Sequence, residues 1–296
     1  MDKDLLTVTY DTIRYYLWVA KELYANPYFY LILVSVFVLE RIIPAKRGQR
    51  TFSRSLFQDF AWFNVYEMFQ LGILPLYVGL LRAFYATHLG FLTLHAVEGW
   101  PIAWRVLVSI VAFDFLQWFH HVVRHKAEVF WYFHTIHHSQ REMNLFTDGR
   151  VHILEPLIAN TIMFIPMFMF QLNPSAVLSV AVVSRWYQRI YHANLRTHYG
   201  FLKYIMVTPQ SHRIHHSVEP RHRDKNFGVM LTIWDRIFRT LHPNYEEYPE
   251  TGVADGLFPF EQDAPARKIL ASLAAQFFYP FRMIFGKRVQ EAVRYQ

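Results

Sequence analysis

The sequence predicts an all-α, polytopic integral membrane protein of four to five membrane helices. Two observations carry the prediction. Apolar residues make up 53% of the 296 and aromatics 18%, and they gather into runs approaching the roughly 20 residues that a helix needs to cross a bilayer. A third observation, the placement of Lys and Arg in the loops beside those runs, sets the orientation.

The first run, residues 27–44, holds YFYLILVSVFVL ahead of Glu40 and Arg41. The second, 68–81, is an apolar half-span whose upstream half carries Asp59, Asn64 and Glu67. Residues 102–119 form a third run, interrupted by Arg105, Asp114 and Gln117. Runs 153–170 and 175–191 flank QLNPS, and an Asn-Pro turn signal between two apolar segments predicts a membrane hairpin. The segment 267–285 is either an amphipathic helix on the membrane surface or a core helix of the cytoplasmic part. The opening stretch, with Asp2, Lys3 and Asp4 ahead of a polar-interrupted run, lacks the pattern of a cleavable signal.

Lys46, Arg47, Arg50 and Arg54 follow the first run, and Arg124, Lys126, Arg141 and Arg150 follow the third, whereas the hairpin turn has no basic residue. The positive-inside rule places residues 122–150 and everything beyond His192 on the cytoplasmic side as a helical cap. Membrane helices then occupy 1–121, a histidine-rich region 122–241 includes the hairpin 153–191, and 242–296 is a cytoplasmic C-terminal segment. The net charge of +7 lies next to apolar segments, which favours anionic lipid over nucleic acid as a neighbour. With no cysteine, any metal must take nitrogen or oxygen ligands.

Two stretches nearly repeat: HTIHHS from His134 and HRIHHS from His212. On a helix, residues three and four apart share a face, so His134, His137 and His138 aim their rings one way, and His212, His215 and His216 repeat the pattern. Upstream, WFHHVVRH sets His121 and His125 at i, i+4, with Asp114 about two turns earlier on that face. Eight imidazoles exceed the four to six ligands of one ion, so a dinuclear site fits the count. Imidazole suits iron, zinc, copper and nickel alike, and no His-Glu-x-x-His pattern of a zinc hydrolase occurs.

Over residues 114–241 the chain resembles the fatty acid hydroxylase and sterol desaturase superfamily of membrane-bound di-iron oxygenases. An Asp-bearing helix ends in His-x-x-x-His (Asp114, His121, His125), His-x-x-His-His follows, and the last box precedes DKNFG and a Trp-Asp pair, Trp234 and Asp235. RVHILE from Arg150 and the histidine of YHANL, His192, also match recurrent features, and His192 enters as a ninth candidate ligand. Val122 stands where the family usually has an arginine.

The resemblance implies two ferrous ions, with zinc as a substitute, that activate dioxygen to hydroxylate or desaturate a C–H bond of a sterol, fatty acyl, ether or other membrane lipid. The sequence holds no haem, flavin or iron–sulfur motif, so electrons come from a separate cytochrome, ferredoxin or pterin. Asp114, Asp148, Glu155, Asp224 and Asn226 are candidates for fixing imidazole tautomers. His152 reads equally as ligand or as partner of one. His120 points about 100° from His121 and reads as a surface or core residue, while His88, His95, His198, His222 and His242 lack ligand spacing. Arg185 and Arg189 read as headgroup anchors. The absence of a C-terminal retention signal favours a bacterial inner membrane over the endoplasmic reticulum. Other readings of the histidines are a metal transporter or metal-handling membrane protein, and a non-enzymatic membrane protein with a structural zinc site.

Overall fold

The structure is a computed structural model that describes residues 27–95, 99–263 and 268–286, together with 7, 9–11, 13–15, 17, 18, 21 and 25. Asp2, Lys3 and Asp4, Arg267 and the residues from 287 onward lie outside the described residues. In chain order the helices are α1 Pro27–Ile42, α2 Arg54–Phe84, α3 Ile102–Lys126, α4 Glu128–His138, α5 Leu154–Met169, α6 Pro174–His192, α7 Pro209–His215, α8 Ile233–Ile237 and α9 Ile269–Phe285. Among the described residues extended backbone is confined to isolated bridges such as Pro44 with Leu195.

Local chemistry sets several boundaries. Ser53 accepts from the Leu56 amide at 3.2 Å and starts α2. The QLNPS signal folds as a helix start, because Asn173 Oδ1 accepts from the Ala176 amide at 2.9 Å and Pro174 needs no amide partner. Thr208 and Ser211 form a reciprocal cap on α7.

The structure changes one expected element. The second run is no half-span: α2 runs unbroken from Arg54 and continues through a π-helical turn and a 3-10 turn to Leu92, so Asp59, Asn64 and Glu67 are helical. Polar residues are tolerated there because they are paired. Asp59, wholly buried, accepts from Arg150 (2.9 Å), Thr147 (2.7 Å) and Asn144 (2.8 Å). This helix, with its continuation, and α3 are long and apolar enough to cross a membrane.

The histidine-bearing end of the fold, called the cap below, is built on a polar knot and a small aromatic core. Arg150 is fully buried; its Nε donates to the Ile136 carbonyl at 2.9 Å, and its two Nη atoms reach Asp59 at 2.9 Å and Glu261 at 3.0 Å. Beside it, Trp62, Ile136, Val253, Phe258, Phe260 and Tyr279 form one buried cluster. Helix α9 therefore inserts Tyr279 and Gln276 into the core, while Leu270, Phe278 and Phe285 face outward. It has a buried face and an exposed apolar face. A second clamp joins α3 to the segment after the last box. Trp118 Nε1 donates to Asp235 at 3.1 Å, and Trp234 Nε1 donates to Asp114 at 2.8 Å.

Candidate metal centre

Four helix ends deliver the histidines. His121 and His125 lie on the last turns of α3, His134, His137 and His138 end α4, His192 is the last residue of α6, and α7 with its cap residue brings His212, His215 and His216. The structure sorts these nine into two groups, in each of which one ring nitrogen per residue lies within 4.8 Å of all the others. His121, His125, His134, His138 and His215 form a group of five, and His137, His192, His212 and His216 a group of four. Each box is therefore split: adjacent histidines point about 100° apart on a helix, so His137 and His138 serve different groups, as do His215 and His216.

The ring nitrogens fit metal ions. His121 Nδ1 donates to the Phe227 carbonyl at 2.9 Å, His215 Nδ1 to the Lys225 carbonyl at 2.8 Å, and His192 Nδ1 to the Gln188 carbonyl at 2.8 Å. A ring with its single proton on Nδ1 leaves a bare lone pair on Nε2. Yet His192 Nε2 stands 2.7 Å from His212 Nε2 and 3.0 Å from His137 Nε2. The Nε2 atoms of His121 and His215 are buried with no hydrogen-bond partner among the described residues. A cation would satisfy these converging nitrogens together. Burial, first, and the neighbouring imidazoles, second, hold His138 and His216 far below the usual histidine range, and burial pushes His215 down to about 4. The rings are neutral at pH 7, the state in which imidazole ligates.

Of the five residues expected to fix tautomers, Glu155 alone touches a ring of the cage, its Oε1 lying 3.0 Å from His134 Nδ1 while it also pairs with Arg124. Asp114 serves Trp234, Asp148 accepts from Arg189 at 3.2 Å, and Asp224 pairs with Lys126 at 2.5 Å. Asn226 works through the backbone. Its Nδ2 donates to the Ser211 carbonyl at 2.9 Å and its Oδ1 accepts from the His242 amide at 2.8 Å. Asp224 and Asn226 both have left-handed backbone, φ 58° and 59°, a conformation Asp and Asn tolerate better than other side chains. Alternating it along DKNFG turns the carbonyls of Lys225 and Phe227 onto His215 and His121. Those two carbonyls are the partners that residue types alone did not reveal.

Other expectations are corrected. His152 is buried outside both groups, bonded to the Phe277 carbonyl at 3.2 Å and accepting from the Leu154 amide at 3.1 Å. Arg185 and Arg189 are not headgroup anchors: both pair with Glu67, and Arg189, 2% exposed, also holds Asp148. The carboxylates on α2 and in the turn before α5 draw them inward. His222 and His242 converge on Glu247 at 3.0 and 3.3 Å, but Arg221 holds the same carboxylate at 2.6 Å and makes this an ion-pair cluster.

A cavity of about 1100 Å³ adjoins the cage, lined by His121, His134, His137, His192 and His212 at one end. His120 also lines it and is buried rather than on the surface. From there the cavity continues between α2, α3, α5 and α6 along Leu74, Val78, Met163, Met167 and Val177.

Comparison with known proteins places this geometry. Residues 106–240 match the fatty acid hydroxylase family. Ornithine lipid hydroxylase OlsE of Rhizobium tropici is 28% identical over 198 residues, 66% of this chain and 57% of that protein. Alkylglycerol monooxygenase of Caenorhabditis elegans is 31% identical over 150 residues, covering 51% of this chain and 29% of the relative. The very-long-chain aldehyde decarbonylase GL1-1 of Oryza sativa subsp. indica is 30% identical over 171 residues, 54% of this chain and 27% of its own length. The match thus spans little more than half of the bacterial relative and under a third of the other two. No solved structure matches. The helical histidine pair, both boxes, His192 and the DKNFG segment all lie inside the stretch that matches the fatty acid hydroxylase family, which is a little under half of the chain.

Proposed function

We propose that this protein is a membrane-bound di-iron oxygenase that hydroxylates a membrane lipid. The observation that carries the reading is the sorting of nine imidazoles, eight of them buried and His125 half-buried, into two adjoining groups at the end of a largely apolar cavity. The names of the relatives, a lipid hydroxylase and a monooxygenase, support oxygen insertion over desaturation and a lipid over a soluble substrate.

The reaction breaks a C–H bond and forms a C–O bond. R–H, dioxygen, two electrons and two protons give R–OH and water, the electrons coming from a separate cytochrome, ferredoxin or pterin. Reductive activation of dioxygen is the chemistry that ferrous ions supply at such a cage. Zinc suits the same imidazoles but has no redox chemistry, so it would occupy without turnover. His121, His125, His134, His138 and His215 would hold one ion, and His137, His192, His212 and His216 the other. Glu155 and the carbonyls of Phe227, Lys225 and Gln188 hold ring orientation, and the apolar walls keep bulk water from the reacting carbon.

The membrane arrangement belongs to the same proposal. Helices α2 and α3 cross the bilayer, the α5–α6 hairpin and α1 complete four to five membrane segments, and the cage faces the cytoplasm of a bacterial inner membrane. The basic loops after the first and third runs support that orientation. A transporter would place its ionisable groups near mid-bilayer on broken helices, whereas these imidazoles lie at helix ends.

Metal analysis of protein produced with ample iron, combined with ¹⁸O₂ labelling of total lipid, tests the proposal. Two irons per chain and one labelled oxygen in a lipid are expected. His137→Ala should abolish labelling in protein that still accumulates in the membrane; an unlabelled lipid pool from iron-loaded wild-type protein refutes the reading.

A further inference from the structure

The cavity changes character along its length, and the change follows each helix that lines it. On α3 the lining passes from Phe113 to Gln117 and His120 as the cage at His121 is approached. On α6 it passes from Val177 and Ala181 to Gln188 and then His192. Helix α5 runs the other way, starting beside the cage at Glu155 and continuing to Met163 and Met167. At 1.5 Å per residue, the 15 residues from Val177 to His192 span about 22 Å. The apolar stretch along Leu74, Val78, Met163, Met167 and Val177 is therefore long enough for an acyl or alkyl chain; polar lining gathers in the last turn or two before the imidazoles and recurs at the far mouth, at Arg82, Thr93 and Gln171.

That polar part holds unspent hydrogen-bonding capacity. Ser184 donates to Gln117 Oε1 at 3.1 Å, which leaves the amide Nε2 as a donor with no partner among the described residues. Asp148 Oδ2 accepts from Arg189, and its Oδ1 has no such partner. His120 Nδ1 is likewise unpartnered. The three residues are buried, at 6, 9 and 7% exposure for Gln117, Asp148 and His120. A buried polar atom without a partner is costly, so such atoms beside a cavity mark where a ligand or water completes them. The charges nearby already compensate one another, Arg124 with Glu155, Arg185 with Glu67, and Arg189 with both Glu67 and Asp148. With Arg124 Nε and Glu155 Oε2, which also line the cavity without a partner among the described residues, what remains is a set of single donors and acceptors on groups whose charges are already paired, and such a set matches a hydroxyl or an amide.

We infer that the cavity takes an amphiphilic lipid polar end first: a hydroxyl- or amide-bearing group sits against Gln117, Asp148 and His120, and the chain extends along α2, α5 and α6. The oxidised carbon then lies a few bonds from that polar group, at a position counted from the polar end and independent of chain length. This rests on the proposed function above and specifies its substrate and regiochemistry.

The test is ¹⁸O₂ labelling of cells producing the full chain, with tandem mass spectrometry locating the label in every labelled lipid across the host's chain lengths. Label at a constant position from the polar group supports the inference, as does a roughly tenfold rise in KM for Gln117→Leu, the loss of about one hydrogen bond, with two metals per chain retained. Ala181→Phe, which fills the apolar part, should shorten the longest chain accepted without moving the label. A label at constant distance from the methyl terminus, or deep in the chain, overturns the polar-end-first placement and leaves the oxygenase reading standing. No labelled lipid at all overturns both.

Discussion

Chelation should empty the two histidine groups in sequence, the group of four first. Among the five, His121, His134 and His215 each have Nδ1 on a carbonyl or carboxylate. Among the four, only His192 does, and the Nδ1 atoms of His137, His212 and His216 are buried without a partner among the described residues. Each outer partner of a metal-bound imidazole is worth about 10–100-fold in affinity. The excess of two in the group of five therefore predicts dissociation constants about 10² to 10⁴ apart, or about 3–6 kcal/mol. Equilibrating metal-loaded protein in detergent against graded chelator and measuring metal per chain should give two steps with a plateau near one ion. His192→Ala should erase the early step and leave the plateau ion in place. A single step releasing both ions together, or loss of the plateau ion in that variant, would show that ring anchoring does not set affinity here.

Three further outcomes follow from contacts elsewhere. Glu155→Gln removes the carboxylate at His134 Nδ1 and should weaken the tighter site by about 10–100-fold in the same titration, with an unchanged late step counting against that role. Arg150→Met leaves Asp59 and Glu261 buried without their cation and should destabilise the cap by about 3–5 kcal/mol, read as a lower unfolding midpoint in detergent; a midpoint matching wild type would mean that the knot carries no net stability. Gly149→Ala would place a Cβ 2.8 Å from the backbone of Phe63, and such overpacking costs about 1–3 kcal/mol; wild-type thermal stability would show that α2 can shift there freely.

The histidines were readable in the sequence because helical spacing fixes where each ring points before any tertiary contact forms. The division of each box corrects the expectation that its three rings aim one way: neighbours on a helix diverge by about 100°, so His137 parts from His138 and His215 from His216. The partners were not readable. Asp114, Asp148 and Asp224 carry the right group for holding an imidazole, but whether a carboxylate meets a ring or an arginine depends on packing between segments far apart in the chain. Arg189 took Asp148 out of play and Lys126 took Asp224. The polar half of α2 misled for a related reason: hydropathy alone cannot register Arg150, 91 residues downstream of its partner Asp59. Helix α9 was ambiguous because one helix carries both a core face and an exposed apolar face. Gln276 and Tyr279 are core residues while Leu270 and Phe278 are exposed.

The segment DKNFG ties the fold to the site. Holding two non-glycine residues in left-handed backbone costs of order 1–3 kcal/mol each, and the surroundings must over-determine it. They do so twice. Asn226 is pinned by Ser211 and His242, and the next two amides, Phe227 and Gly228, both donate to Asp235, at 2.9 and 2.8 Å. Asp235 is in turn fixed by Trp118 on α3, three residues before His121. The loop that aims the two carbonyls is thus registered against the same helix that presents the first imidazole pair. Burying neutral rings with facing lone pairs opposes folding of this region, and a bound cation reverses the sign, so metal affinity and cap stability are one linked quantity. The strain in the loop can persist because the contacts that hold it also position the rings whose metal binding stabilises the whole.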